Sequence, residues 1–332
     1  MSSGLVYIGK VLEVIPIPDA DRIESLDIDA GAGGRWRGTA LKSQFQAGDF
    51  CQVYLPDSLL PHTEDLAFME SHKWRVRMIR LRGVPSEVLV MPQTIVGEVG
   101  DDVTELAEVT KYEKPIHPSL SGVVIGSFPS FIPRTDEPNF QQVPELVAAL
   151  RGKLFYGSTK VDGSSATVFL QDGVLHCCSR NLDLKDASNN VIWQIARKYK
   201  MENVLKTLYE TMNYSNFAIQ FEVVGPGAQG NPLGLSQHEP RMFDVYDITE
   251  HEYLDPRTMH LVAKTYNIPA VEIIDMGRIF DFPDDEWLRK YAEGVYPNGV
   301  QREGVVIRSL DNERVDGVRV SFKVCNLLYK EM

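Results

Sequence analysis

The stretch "FYGSTKVDGSSATVFL", residues 155–170, places a single lysine between two apolar runs. Lys160 lies in a bend of small residues, and Asp162 and Gly163 follow it at two and three positions. Taken alone, a lysine in this setting is typical of a surface turn. A functional interpretation therefore depends on the segments that accompany it along the chain.

Five further segments combine apolar strand residues with charged residues at their ends or in their middles. A strand that carries charge in this way usually faces a polar pocket rather than a packed core. In chain order the segments are "SRN" (179–181), "FEVVG" (221–225), "FDVYDI" (243–248), "EGVVIR" (303–308) and "SFKVCN" (321–326). The sequence therefore predicts a polar pocket built by residues 155–326.

This ordered set of six segments resembles the motifs of the covalent nucleotidyltransferases, which are the polynucleotide ligases and the messenger-RNA capping enzymes. The resemblance implies that Lys160 is the nucleophile that takes up a nucleoside monophosphate, and that Lys323 contacts the α-phosphate. It also implies that Arg180 and Glu222 hold the ribose, and that Phe243 stacks on the base.

The same resemblance implies a hydrated Mg²⁺ or Mn²⁺ ion oriented by Asp162 and Glu303, with Glu222 as a third candidate ligand. Carboxylates suit this task, since phosphoryl transfer mainly requires positioning and neutralisation of charge. A lysine amine attacks phosphorus only when it is unprotonated. Burial, a nearby cation such as Lys323 and a bound metal are each expected to lower the pKa of Lys160.

Each of these side chains also has a plainer interpretation when it is considered alone. Phe243 in an apolar strand fits a core residue, Arg180 fits a surface turn, and Glu222 fits an ion-pair partner. Only the shared order of the six segments favours the functional interpretation.

Two features of the sequence resemble RNA ligases more than the other branches. DNA ligases and capping enzymes usually have an arginine two residues after the motif glycine, whereas Ser165 stands there in this chain. They also place a β-barrel after the last motif, whereas Met332 is the seventh residue after Cys325. The stretch "FPSFIPRTDEPNFQQVPEL" (128–146) resembles the segment before the first motif in a group of nick-sealing RNA ligases.

The sequence departs from that group at three positions. Thr159 stands where a glutamate usually reads adenine, and it is expected to be part of the nucleotide site. Asn139 replaces an arginine that usually reaches the phosphates of ATP. Cys325 replaces a frequent second lysine.

The first third of the chain is dominated by short β-type runs separated by Gly, Asp and Pro. These runs predict a small β-barrel or sandwich, and the resemblance of residues 1–112 to the N-terminal OB domain of the same RNA ligases implies the barrel. Residues 111–120 suit a linker. Residues 113–332 mix helical and strand patterns, and the resemblance implies a nucleotidyltransferase domain of antiparallel sheets with flanking helices. The predicted fold class is α+β.

The composition argues for a chain that is neither membrane-spanning nor disulfide-linked. No apolar run is long enough to cross a bilayer, and the N-terminus does not resemble a secretory signal. Four cysteines without zinc-ligand spacing favour a reducing cytoplasmic or nuclear setting. A monomer is expected.

A net charge of −12 argues at first against a nucleic-acid partner, but the charges are segregated. The stretch "HKWRVRMIRLR" (72–82) contains five basic residues and no acid. We expect this basic strip to contact RNA, with positions 73, 75 and 77 on one strand face, although a solvated strand face is an equal alternative. Its members are Lys73, Arg75, Arg77, Arg80 and Arg82.

The resulting hypothesis is an ATP-dependent RNA ligase that joins a 3′-hydroxyl to a 5′-phosphate, with nicks in duplex RNA as the expected substrate. The expected intermediates are a lysine–AMP adduct and an RNA-adenylate. Two alternatives remain at this point. One is a GTP-dependent capping guanylyltransferase, and the other is a non-catalytic RNA-binding protein on the same scaffold.

Overall fold

A computed structural model of the chain describes residues 4–112 and 122–330. The chain divides into two compact units. The first comprises Met1–Pro115 with Phe140–Pro144, and the second comprises Ile116–Asn139 with Glu145–Met332. The predicted linker lies almost wholly outside the described residues, since only positions 111 and 112 of it are described.

The first unit is built from short antiparallel strands. They are β1 (Val6–Pro16), β2 (Ile23–Asp29), β3 (Arg35–Leu41), β4 (Phe50–Tyr54), β5 (Ser58–Leu59), β6 (Ile79–Leu81), β7 (Val84–Ser86), β8 (Leu89–Pro92) and β9 (Thr110–Lys111). Five of them form a sheet in the order β3-β2-β1-β4-β8.

The five-stranded sheet closes on itself as a barrel. Gly38 of β3 forms a bridge with Val88, which directly precedes β8. Beside it, the Glu87 N–H donates to the Arg37 carbonyl at 2.7 Å. The two edge strands are thereby joined around an apolar interior, to which alternate residues of each strand contribute. Its members include Val11, Leu26, Ile28, Val53 and Val90.

The strand predicted across residues 74–82 is wrong. Lys73 and Trp74 adopt left-handed backbone angles, which end a 3₁₀ helix rather than begin a strand. Arg75 forms an isolated antiparallel bridge with Leu59, and only residues 79–81 form a strand there, as the first arm of the β6–β7 hairpin. In contrast, β3 was not expected from the sequence, because "RWRGTAL" alternates polar and small residues with few large apolar side chains.

The second unit contains two larger antiparallel sheets and a small hairpin. Its strands are β10 (Val124–Ser127), β11 (Leu154–Lys160), β12 (Ser164–Gln171), β13 (Val174–Ser179), β14 (Leu182–Leu184), β15 (Phe217–Val224), β16 (Glu239–Asp247), β17 (Glu252–Tyr253), β18 (Ile273–Ile279), β19 (Gly304–Ser309), β20 (Arg314–Val315), β21 (Val318–Arg319) and β22 (Ser321–Cys325). The seven-stranded sheet has the order β10-β14-β13-β12-β15-β16-β17, and the four-stranded sheet has the order β18-β11-β19-β22.

The helices follow recognisable local signals. They are α1 (Pro144–Leu150), α2 (Val191–Lys198), α3 (Met201–Thr211), α4 (Pro256–Thr265) and α5 (Asp285–Ala292). Asn190 and Asp255 cap α2 and α4 with their side chains, which satisfies backbone N–H groups of the first turn. Lys200 takes a left-handed conformation between α2 and α3, so the helical pattern of residues 191–212 forms two helices.

The largest apolar cluster of the second unit lies between the helices α2, α3 and α4 and the seven-stranded sheet. It includes Trp193, Leu205, Ile219, Phe221 and Met259, all buried. Among residues 4–112 and 122–330, none of the helices combines the length and hydrophobicity needed to cross a bilayer.

Candidate active site

Lys160 lies where the chain crosses from one sheet to the other. It is the last residue of β11 in the four-stranded sheet, and Ser164 begins β12 in the seven-stranded sheet. A Cβ atom at Gly163 would lie 2.4 Å from the Val223 carbonyl oxygen, so only glycine fits this crossing. The lysine is therefore at a strand end between two sheets rather than in a surface turn.

Glu303 is the partner of the lysine amine. Lys160 pairs with Gly304 across β11 and β19, which brings the preceding residue, Glu303, beside it. Lys160 Nζ lies 2.6 Å from Glu303 Oε1. Burial is the largest single influence and disfavours the charged amine, but the charge and hydrogen bond of Glu303 together with Asp162 outweigh it and raise the pKa of Lys160 above its ordinary value. Burial acts in the expected direction, but the expected net lowering of the pKa is wrong, because acids lie beside the amine.

Tyr296 joins three elements of the site through one hydroxyl. The hydroxyl donates to the Lys160 carbonyl at 3.1 Å. It accepts from the backbone N–H groups of Asp162 and Glu303, at 3.4 and 3.3 Å. Tyr296 lies in a loop after α5 with no strand pattern around it, so the sequence carried no signal for this role.

Asp162 is also held through its side chain. Its residue surface is only 5% exposed, and the Tyr329 hydroxyl donates to Asp162 Oδ2 at 2.8 Å. Tyr329 follows a turn that begins at Asn326, directly after β22. The Asn326 N–H donates to the carbonyl of Glu303, the residue before β19, so this turn lies against the site. The carboxylate two residues after the lysine therefore has a defined position.

The seven-stranded sheet carries two of the predicted nucleotide-binding residues. Glu222 lies on β15, opposite Ser165 on β12 and Arg241 on β16. Phe243 lies on β16 and is half-buried against an apolar cluster that includes Val161. Each therefore belongs to a strand that borders the crossing after Lys160.

Thr159, Lys323 and Cys325 belong to the four-stranded sheet. Thr159 is buried, and its hydroxyl donates to Glu272 Oε2 at 3.2 Å. Lys323 is the third residue of β22, and its backbone N–H donates to the Pro138 carbonyl at 2.8 Å. Asn139 forms an isolated parallel β-bridge with Lys323. The side-chain amide nitrogen of Asn139 lies 3.9 Å from Cys325 Sγ.

The segment 133–139, which we name the strap, contacts four of the six motifs and Gln220, the residue before a fifth. Asp136 pairs with Arg180 at 2.7 Å, so the predicted ribose ligand is held by an acid of the strap. The partners of the strap through hydrogen bonds or ion pairs include Gln220, Asn181, Ser165, Arg180, Arg308, Ser321 and Lys323. It therefore connects the strands that supply the site.

A buried ionic group lies under the strap. Arg308 contacts Glu137 and Asp244 at 2.9 and 3.0 Å, and Arg319 contacts Asp244 at 2.9 Å. The two acids and two guanidiniums balance in charge, which is the arrangement that buried charges require. Arg308 also donates to the Phe243 carbonyl at 2.9 Å. The sequence predicted none of these partners, because they come from four separate segments.

The comparisons with known proteins identify the family. A model described as RNA ligase matches residues 153–325, which is more than half of the chain. The chain belongs to the RNA ligase family. A second model, described as an OB-fold domain, matches residues 5–93 of this RNA ligase family member. No curated protein sequence matches the chain.

Solved structures of the Naegleria gruberi RNA ligase are similar to this chain over nearly its whole length. The structure of that ligase with PPi is 32% identical with a TM-score of 0.83, and the match covers 97% of this chain and 96% of that chain. A mutant of that ligase with ATP and Mn is 31% identical with a TM-score of 0.82, and covers 97% of both chains. The expected fold, an OB-type barrel followed by an RNA ligase nucleotidyltransferase domain, is confirmed.

The three carboxylates expected to orient a metal do not enclose one directly. Within the part of this RNA ligase family member that the structure describes, no three His, Cys, Asp or Glu side chains form a group that could hold a metal ion. Glu303 Oε1 nevertheless lies 2.6 Å from the lysine amine, and the Asp162 carboxylate is close enough to raise the pKa of Lys160. Contact through water therefore stays a prediction.

The basic strip of the RNA ligase chain is not a continuous strand face. Arg75 is only 5% exposed, because its guanidinium contacts Asp57 at 3.0 Å and covers the Tyr112 ring at 4.0 Å. Lys73, Arg77 and Arg82 are exposed, and Arg80 donates to Gly83 within the hairpin. The prediction that Arg75 lies on an exposed face with positions 73 and 77 is wrong, since its charge is used inside the barrel unit.

Proposed function

We propose that the chain is an ATP-dependent RNA ligase that joins a 3′-hydroxyl to a 5′-phosphate, acting on nicks in duplex RNA. The observation that carries the proposal is the position of Lys160. Its amine lies 2.6 Å from Glu303 at the junction of two sheets, in a chain of the RNA ligase family. The Naegleria gruberi relative, solved with ATP and Mn and with AMP and Mn, supports the choice of nucleotide and metal.

The first step forms a lysine–AMP adduct. The neutral Nζ of Lys160 attacks the α-phosphorus of ATP, a nitrogen–phosphorus bond forms, and the bond to the β-phosphate oxygen breaks to release pyrophosphate. Because the amine of the resting chain is protonated, it must first lose a proton. Glu303 is the closest acceptor, at 2.6 Å.

Two further displacements complete sealing. An oxygen of the RNA 5′-phosphate attacks the phosphorus of the adduct, so the lysine leaves and an RNA-adenylate forms. The 3′-hydroxyl then attacks the 5′-phosphorus, loses its proton and displaces AMP. The nucleotide is consumed as the source of the AMP leaving group, and each step is an in-line substitution at phosphorus.

The carboxylates of Glu303 and Asp162 beside the amine are oxygen ligands, and such ligands suit Mg²⁺ or Mn²⁺. Asp162, Glu222 and Glu303 would hold the cation through water. When bound, a divalent cation neutralises phosphate charge during the substitution. Lys323 adds a fixed positive charge for the α-phosphate from β22.

The nucleotide itself would lie against the seven-stranded sheet. Phe243 offers an aromatic face for the base. Glu222 and Arg180 would hold the ribose, and in this arrangement Arg180 would exchange Asp136 of the strap for the nucleotide. This pair is exposed to solvent, so its exchange costs little free energy.

RNA contact is proposed for the barrel of residues 1–112, and nucleotide chemistry for residues 113–332. Lys73, Arg77 and Arg82 are the exposed cations of the basic strip. Such cations track a phosphate backbone without reading its sequence. Arg75 is excluded from this set, because it already neutralises Asp57.

The proposal is tested by incubating the full chain with α-labelled ATP or GTP and a divalent metal, followed by a denaturing gel. We expect a covalent label from ATP that Lys160→Ala abolishes. Lys153→Ala is the matched control, since Lys153 is an exposed lysine that precedes β11 and pairs with Glu313. Label from GTP would indicate a guanylyltransferase, and no label would favour a non-catalytic RNA-binding protein.

A further inference from the structure

One acidic residue outside all six motifs is held beside the predicted base site by the backbone on two sides. The Val271 N–H donates to the Met242 carbonyl at 2.9 Å, directly before Phe243. The Thr159 N–H donates to the Glu272 carbonyl at 2.9 Å, directly before Lys160. Glu272 is therefore fixed between the aromatic residue and the nucleophile.

The surroundings of this position are apolar on one side. Val161, Val271 and half-buried Phe243 belong to the same cluster. A planar, mostly apolar ring fits such a wall, since an aromatic face stacks on it while aliphatic side chains exclude water. The polar edge of a base bound there would face the residues at the edge of this apolar cluster, which we call the rim.

The rim carries a carboxylate. Glu272 is exposed, and Thr159, which is only 3% exposed, donates its hydroxyl to Glu272 Oε2 at 3.2 Å. An ionised carboxylate only accepts hydrogen bonds and has about four lone-pair sites. The buried threonine occupies one of them and fixes the direction of the others.

We infer that Glu272 recognises the 6-amino group of adenine by accepting a hydrogen bond from it, with Thr159 orienting the carboxylate. The inference rests on the proposed use of ATP by Lys160. Guanine carries a carbonyl oxygen at this position, so it would bring an acceptor against an acceptor. Glu272 would thus favour ATP by attraction and reject GTP by repulsion.

The test compares three nucleotides in lysine-adduct formation by the full-length protein. Purine riboside triphosphate lacks the amino group but keeps the ring, so it isolates the contribution of Glu272. We expect the wild-type chain to use ATP roughly tenfold more efficiently than purine riboside triphosphate, which is the discrimination that one hydrogen bond to a charged group supplies. GTP should be used least.

Glu272→Ala should reduce the rate with ATP to that with purine riboside triphosphate and leave the latter unchanged. Thr159→Val, which keeps the shape but removes the hydroxyl, should reduce the preference only in part. Glu250→Ala is the control, because Glu250 is an exposed acid at the end of β16 and should preserve the preference.

The outcomes separate this inference from the proposed function. Suppose that wild-type protein forms an adduct with ATP, and that Glu272→Ala lowers the rates with ATP and with purine riboside triphosphate equally or changes neither rate. The assignment of Glu272 is then wrong and the ligase proposal stands. If wild-type protein forms no adduct with any of the three nucleotides, both are overturned. Thermal melting of each variant excludes loss of fold as the cause.

Discussion

The ion pair between Lys160 and Glu303 influences the protonation state of the proposed nucleophile. Burial alone would lower the pKa of the lysine, but the carboxylate at 2.6 Å and the nearby Asp162 together outweigh burial and raise it. The amine is thus charged at neutral pH, where it cannot attack phosphorus. If Lys160 is the nucleophile, as proposed, its amine must lose a proton before it reacts.

We therefore predict that adduct formation accelerates as the pH rises from neutral to alkaline. At pH values below the pKa of an amine, its neutral fraction increases about tenfold for each unit by which the pH rises. Glu303→Gln removes the charge that raises the pKa, so its profile should move to lower pH, although its maximal rate should fall. Single-turnover adduct formation measured across this range at fixed metal concentration checks the shift. Identical profiles for the two proteins would contradict this role of the carboxylate.

A second prediction concerns the Tyr296 hydroxyl. Tyr296→Phe keeps the ring but leaves the backbone N–H groups of Asp162 and Glu303 without this acceptor. We expect the free energy of unfolding to fall by about 1–3 kcal/mol and adduct formation to slow. Urea unfolding measures the first effect. Tyr209→Phe, at an exposed position of α3, is the control, and an equal loss there would show that the hydroxyl of Tyr296 makes no specific contribution.

At the scale of elements, the strap and the buried ionic group determine how the motif strands meet. Glu137 accepts from both Arg308 and Ser321, and the next residue, Pro138, accepts from Lys323 on β22. Burial would raise the pKa of Glu137, but Arg308, Arg319 and the hydrogen bond from Ser321 together outweigh burial and lower the pKa. The network therefore couples the strap to β16, β19 and β22 through charge.

We predict that Glu137→Ala destabilises the second unit by about 3–5 kcal/mol, because it leaves a buried arginine without one of its acids. Arg257→Ala, which breaks an exposed pair with Asp311, should cost less than about 1 kcal/mol. Denaturant titrations of both variants test the contrast. A small effect at Glu137 would mean that Asp244 alone balances the guanidinium.

The lowered pKa of Glu137 also has a consequence for acid stability. A carboxyl whose pKa is lower in the folded than in the unfolded chain stabilises the fold above its unfolded pKa. That stability is lost as the pH falls through the folded pKa. Glu137→Gln should therefore be less stable than wild type at neutral pH, and the difference should narrow on acidification. Urea midpoints measured at several pH values check the sign.

At the scale of the whole molecule, the charges of the first unit are divided between structure and surface. The barrel uses Arg75 internally, whereas Lys73, Arg77 and Arg82 remain exposed. The overall charge of −12 would repel RNA, so a local group of cations is needed for contact.

We predict that the double variant Arg77→Gln and Arg82→Gln binds nicked RNA duplexes more weakly, with lysine–AMP formation unchanged. Each lost phosphate contact lowers the slope of log affinity against log salt by about 0.9. The deficit should therefore be largest at low salt and shrink as salt rises. Lys42→Gln, an exposed cation elsewhere in the barrel, is the control. Equal affinities at low salt would remove these arginines from the RNA interface.

The sequence by itself determined the α+β class and the barrel at the N-terminus, and it named the residues proposed for the reacting centre. It could do so because these depend on local signals, which are alternating apolar residues, helix caps such as Asp255, and short motifs in a constant order. The sequence-based prediction failed at residues 74–82, where basic and apolar residues alternate as in a strand. The hydrogen bond between Arg75 and Asp57 joins residues that are distant in sequence, so no local pattern indicates it.

Only the tertiary structure decided which groups surround those motif residues. Tyr296, Tyr329, Glu272 and Glu137 lie outside every motif, and each reaches the site through a contact with residues more than 100 positions away. The same long-range pairing reversed the expected pKa shift of Lys160, because β11 and β19 place Glu303 beside it. Electrostatics and hydrogen bonding depend on distances in space, and those distances exist only after the two sheets have formed around the crossing at Gly163.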